Sequence, residues 1–212
     1  MDRVWYVAYG SNLSRERFRC YVVGGRPEGG ARTYEGCREP DEPADDVAVQ
    51  IPGALYFGGR SRVWGGGIAT WEPHARGSVA ARAYLLTVRQ FADVLAQESW
   101  RPRGDAIDLR ALRSSGRLRV GPGRYETLVG VGRRRGIPMV SFAGEHGRAR
   151  DVAAPAGAYL RMMATGLHES RGWSAATAGR YLAAITGAAP RWTSAAIAGL
   201  ATAPGPPVIR DR

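Results

Sequence analysis

Tyr9-Gly10-Ser11-Asn12-Leu13 is where residue types and spacing first point to chemistry. The stretch follows a strand-like run, Val4-Trp5-Tyr6-Val7-Ala8, and runs into a segment, Leu13 to Tyr21, with apolar residues at helical spacing. A strand-to-helix junction turns unpaired backbone N–H groups outward, and such groups favour a carboxylate or a phosphate. Gly10 lets a ligand or a second backbone approach closely. Taken alone, the same residues also describe an ordinary capped turn, with Ser11, Asn12 or Ser14 as the cap. Other chemistry is missing from the sequence: there is no Gly-x-Ser-x-Gly elbow and no Walker-type phosphate loop. The two cysteines, Cys20 and Cys37, make no disulfide framework, and neither stands in a nucleophile's context. His74, His146 and His168 lack ligand spacing. The sequence therefore predicts no metal and no cofactor, and leaves acid–base chemistry by a carboxylate, with backbone donors holding an anion.

The elements that must position such groups are short. Ala54 to Phe57, Val63-Trp64, Gly67 to Trp71 and Val79 to Leu86 read as strands joined by glycine turns. Thr87 to Glu98 reads as a helix with Val88, Phe91, Val94 and Leu95 on one face. Tyr125 to Val131 and Ile137 to Phe142 flank Gly132-Arg133-Arg134-Arg135-Gly136, a hairpin signature. Ala156 to Leu167 and Ser174 to Ile185 are amphipathic helices. Gly24 to Ala48, with the acidic Glu39-Pro40-Asp41-Glu42-Pro43, reads as loop, and Trp100 to Gly123 as irregular, with a short helix around Asp108 to Leu112. Strands followed by helices predict an α+β fold with a small mixed β-barrel and flanking helices. One domain is expected over residues 1–200, with a loosely held Pro-rich tail over 201–212.

The net charge of +11 suggests nucleic acid at first. All 30 basic residues are arginine, spread from Arg3 to Arg212. Spread of this kind fits a compositional bias better than a binding stripe, and argues against a nucleic-acid partner. No apolar run approaches the ~20 residues of a membrane span, and no signal-peptide pattern opens the chain, so a cytoplasmic protein is expected.

Val7-Ala8-Tyr9-Gly10-Ser11-Asn12-Leu13 closely resembles the opening signature of the γ-glutamylcyclotransferase-like family, whose fold is a β-barrel with flanking helices. Further segments match in order. Gly66-Gly67-Ile68-Ala69-Thr70 resembles a family strand, and Gln97-Glu98 closes a helix where the family has its catalytic glutamate. Tyr125 and Tyr159 stand where the family has pocket tyrosines. The resemblance covers roughly residues 4 to 186. It departs at Phe142, in a strand where the family often has a tyrosine, and in two longer segments, Arg38 to Asp46 and Ser99 to Arg124.

The resemblance implies that a γ-glutamyl amine or amide cyclises to 5-oxoproline and releases the amine. Glu98 is then the general acid/base, in an apolar setting provided by Phe91, Leu95 and Trp100. Tyr9, Gly10, Ser11, Asn12 and Leu13 bind glutamyl polar groups, and Tyr125 and Tyr159 orient the amine or carboxylate. The other carboxylates, Glu16, Glu126 and Glu169, sit in no matching segment. The partner is a small γ-glutamyl molecule, either a primary metabolite or a γ-glutamyl-protected biosynthetic intermediate. The arginine-rich segment Arg101 to Arg124 favours a larger or anionic one. Other amide cleavage, acyl transfer in the same pocket, and a non-catalytic binding protein of this fold stand as alternatives, the last motivated by Phe142.

Overall fold

The computed structural model describes residues 2–104, 107–121, 125, 127–144 and 151–202. Glu126, His146 and the tail from residue 203 onward lie outside them. The fold is α+β. β1 (Arg3–Ala8) is the spine. Val4 to Ala8 are all buried, which explains a run of apolar residues without alternation. Trp5 and Val7 point into one core, and Val4, Tyr6 and Ala8 into the other. Each fully buried branched or aromatic side chain contributes about 1.5–3 kcal/mol, so this strand fastens both layers.

β1 pairs antiparallel with β5 (Ser78–Thr87) and parallel with β8 (Ile137–Ala143). β2 (Asp46–Pro52) extends the sheet beyond β5, and β7 (Thr127–Arg134) and β6 (Arg117–Arg119) extend it beyond β8. β3 (Ala54–Gly58) and β4 (Ile68–Glu72) form a separate two-stranded sheet. The expected barrel is thus corrected: among the described residues the six-stranded sheet is open, with β2 and β6 as its edges. One face carries α1 (Arg15–Val22), α2 (Val88–Glu98) and α3 (Leu109–Ser115). The other carries β3, β4, α4 (Gly157–Arg171), α5 (Ala175–Ala183) and α6 (Ser194–Thr202).

Local chemistry sets the ends of these elements. Ser14 caps α1 by accepting from the Arg17 N–H. Thr87 and Gln90 make a reciprocal capping box at the start of α2. The β7–β8 hairpin closes on two residues, Arg135 and Gly136, both at positive φ, so Arg133 and Arg134 belong to the strand and not to a five-residue tip. Val63-Trp64 is a turn rather than a strand, because the Ser61 hydroxyl accepts from both of their N–H groups. β2, β6 and α6 were not expected from the sequence.

Candidate functional site

Below Gly10, residues Ser11–Leu13 form a single tight 3-10 turn before α1. The Leu13 and Ser14 N–H groups bond the Gly10 and Ser11 carbonyls at 3.0 and 3.1 Å. The donors the turn can offer a ligand are therefore those of Ser11 and Asn12. Leu13 is fully buried in the core, and its carbonyl accepts from Arg82. The Tyr84 hydroxyl donates to the Asn12 carbonyl at 2.8 Å, fixing the turn from beneath.

Glu98 is the last residue of α2 and faces this turn. Asn12 Nδ2 donates to Glu98 Oε1 at 2.8 Å and to the Tyr6 hydroxyl at 3.0 Å. One side chain of the turn thus ties the strand tyrosine to the helix-end carboxylate. Burial pushes the Glu98 carboxyl above the ordinary carboxylate range. The charge of Arg17 opposes this, as do hydrogen bonds from Tyr21 and Asn12 and the charge of Arg32. The helix end works in the same direction as burial, because the C-terminal end of a helix dipole disfavours an anion.

These groups open onto a cavity of about 480 Å³. Tyr9, Gly10, Ser11, Asn12, Glu98, Tyr125 and Tyr159 all line it, so the matched segments, distant in sequence, come to one place. Leu13 does not. Phe91 and Leu95 pack in the core, and the apolar lining comes from Trp100, Trp64, Ile68 and Phe142 instead. Phe142 stacks on Tyr6 at 4.9 Å between ring centres, while its carbonyl accepts from the Tyr9 hydroxyl at 2.9 Å. Tyr159 braces the floor: its hydroxyl accepts from the Ala69 N–H at 3.0 Å. A Cβ on Gly10 would lie 2.7 Å from that hydroxyl, which is why this position is glycine. The Gly10, Ala69 and Tyr159 segments therefore lock together at one point.

The sequence reading missed Tyr6, Arg17, Tyr21, Arg32 and Tyr34, which also line the cavity. Tyr6 was legible as an inward residue of β1. Arg17 was masked by the abundance of arginine. In the arginine-rich segment after Glu98, none of the described arginines lines this cavity, and Arg124 lies outside the described residues. Arg101 donates to the Val120 carbonyl, and Arg103 to the Gly36 carbonyl with Glu35 beside it. The rim arginines are Arg32, Arg60 and Arg62. Arg38 to Asp46 packs on α2 through Arg38–Asp93 and the Glu39 and Asp41 carbonyls, away from the cavity lining. Glu169, a competitor for the acid–base role, pairs with Arg82 elsewhere.

No family model matches the chain. It is 32% identical over 185 residues to a protein of Arabidopsis thaliana named histone deacetylase 5. That alignment takes in 78% of this chain and 28% of the plant protein, so the chain spans little more than a quarter of that relative. Among solved structures, the fold is similar to an uncharacterized human protein, at 18% identity and a TM-score of 0.48 over 81% of this chain and 82% of that one. It is similar to a γ-glutamyl cyclotransferase, at 18% identity and a TM-score of 0.48 over 80% and 81% of the two chains. It is also similar to YkqA of Bacillus subtilis, at 14% identity and a TM-score of 0.49 over 88% of this chain and 56% of that one. Among the described residues no helix is long and apolar enough to cross a membrane, and no group of three or more His, Cys, Asp or Glu is placed to hold a metal.

Proposed function

We propose that this chain is a γ-glutamylcyclotransferase-type enzyme that cyclises a small γ-glutamyl amine or amide to 5-oxoproline and releases the amine. The observation that carries the reading is the 2.8 Å hydrogen bond from Asn12 to Glu98, made inside the cavity across 86 residues of sequence. It joins the signature turn to the one helix-end glutamate that the resemblance singles out.

In this reaction the substrate supplies its own nucleophile. The α-amine nitrogen attacks the γ-carbonyl carbon, a new C–N bond closes the five-membered ring, and the old γ C–N bond breaks. Glu98 takes the proton from the attacking amine and returns it to the leaving nitrogen. A carboxylate with raised proton affinity suits both halves, since it accepts a proton more readily than an exposed glutamate and still releases it. Ser11 and Asn12 N–H groups support the glutamyl head or the developing oxyanion. Asn12 holds Glu98 in aim, and Tyr159 and Tyr125 bound the space in which the chain must fold back. Holding the reacting atoms together accounts for several kcal/mol of the barrier, because an extended glutamyl chain keeps amine and carbonyl apart.

A panel of γ-glutamyl conjugates, covering amino acids and larger amines of biosynthetic type, assayed by mass spectrometry for 5-oxoproline, tests this. Glu98→Gln is expected to lower kcat on the best substrate by about 10²- to 10⁴-fold with the fold intact. Full activity in Glu98→Gln removes Glu98 from the role, and no 5-oxoproline from any conjugate removes the activity.

A further inference from the structure

Resting on that reading, we infer that Arg17 is a carboxylate anchor of the cavity, holding an anionic group of the substrate beside the Asn12–Glu98 pair. Arg17 is only 2% exposed, yet it lines the cavity. Its Nη2 donates to the Tyr34 hydroxyl at 2.7 Å. Its Nε and Nη1 are buried and have no hydrogen-bond partner. It makes no ion pair among the described residues.

A buried guanidinium in this state is costly, since both the lost hydration and the empty donors count against the fold. The surroundings stabilise the cation without filling those donors. Its central carbon lies 4.3 Å from the centre of the Tyr21 ring and 4.4 Å from that of Tyr34, and aromatic faces attract a cation. These rings hold the guanidinium plane in place, while Nε and Nη1 are left unbonded; Tyr34 takes one of the two Nη2 N–H groups, so the other can pair with Nε or with Nη1 to grip a carboxylate with two parallel bonds. Glu98 is near enough to feel the Arg17 charge, but the two are not paired. Arg17 and the acid–base residue thus line one cavity without being paired.

A second orphan supports the assignment. Asn12 Oδ1 is buried and unbonded, and it lines the same cavity. An unfilled acceptor beside unfilled cationic donors is the complement of a group that carries both an amine and a carboxylate. The anchored carboxylate is either that of the glutamyl head itself or one carried by the amine that leaves.

The test compares wild type and Arg17→Gln on three probes. These are γ-glutamylethylamide, whose one carboxylate is the glutamyl one, its α-carboxamide, and γ-glutamylglycine, which adds a carboxylate on the leaving side. Wild type is expected to prefer the carboxylate probe over its carboxamide by roughly tenfold to a hundredfold in kcat/KM, and Arg17→Gln to lose most of that preference. If the preference disappears only for γ-glutamylglycine, the anchored group is on the leaving amine, and the anchor stands. If Arg17→Gln weakens all three probes, γ-glutamylglycine included, by the same factor, Arg17 only supports the wall and the inference fails. Arg17→Lys keeps the charge without the two-pronged edge, and the same discrimination must fall in it if Arg17→Gln does not fold. Glutarate binding by calorimetry needs no turnover: loss of glutarate affinity in the variant upholds the anchor even where no 5-oxoproline forms, and equal affinity overturns it.

Discussion

Two arginines of this protein are buried to the same degree and treated in opposite ways. Arg82, on β5, is 2% exposed and fully engaged. Its Nε bonds Asp46 at 2.7 Å, and its Nη1 bonds Glu169 at 2.6 Å and the Leu13 carbonyl at 3.0 Å. Arg17, on α1, is equally hidden but keeps two donors empty. Arg82 ties β2, β5, α4 and the turn into one unit. Arg17 faces a cavity. Burial therefore separates neither from the other; satisfaction does. A buried charge with every donor matched is part of the scaffold, whereas one with unmatched donors reserves them for something that arrives later.

The comparison breaks first on stability. Arg82→Met leaves Asp46 and Glu169 without their shared cation and is expected to cost about 2–4 kcal/mol in chemical denaturation. Arg17→Met breaks no ion pair, and its lost ring contacts are offset by relief of desolvation, so its cost should stay within about 1 kcal/mol. Equal costs for the two substitutions would erase the distinction.

Next in size is the close approach under the turn. Gly10→Ala places a methyl group against the Tyr159 hydroxyl and should cost about 1–3 kcal/mol. Tyr159→Phe removes the obstructing oxygen, leaving the next ring atom at 3.8 Å, so the double variant should be more stable than the sum of the single effects. Strict additivity in thermal melts would show that the two do not touch.

The smallest effect concerns Glu98. Its carboxyl binds a proton more tightly folded than unfolded, so the stability it adds is complete in acid and is lost as pH rises through the folded value. Glu98→Gln removes that loss. Its melting temperature should exceed that of wild type at pH 8, by less than about 4 °C, and the gap should close as pH falls below the ordinary glutamate range. A gap that widens in acid would mean Glu98 is held as a favoured anion.

Much of this was legible in the sequence, and the failures are physical. β1, α2 and the hairpin over β7 and β8 announce themselves because apolar period and turn residues agree. β2 was hidden behind its acidic entry, where Asp45 and Asp46 read as loop although Asp46 is there to meet Arg82. α6, Ser194–Thr202, carries no charged residue, and its one start signal is the cap Thr193, whose hydroxyl accepts from the Ala196 N–H. The turn and Glu98 could be proposed from the resemblance, but their hydrogen bond could not, since nothing local joins residue 12 to residue 98. Arg17 was invisible for a different reason: in a chain with 30 arginines, residue type carries no information, and only the surroundings identify the one that matters.

Arg32 adds a consequence for how the cavity works in time. It comes from the long irregular stretch after α1, donates to the Gln97 carbonyl at 2.8 Å, and lies 3.9 Å over the exposed Trp100 ring. It thereby clasps the last turn of α2, the part of any helix that frays most readily. Glu98 sits on that turn. Glu98, the proposed acid–base group, therefore sits on a helix end that Arg32 clasps, and release of the Arg32 segment is expected to disturb its alignment with Asn12.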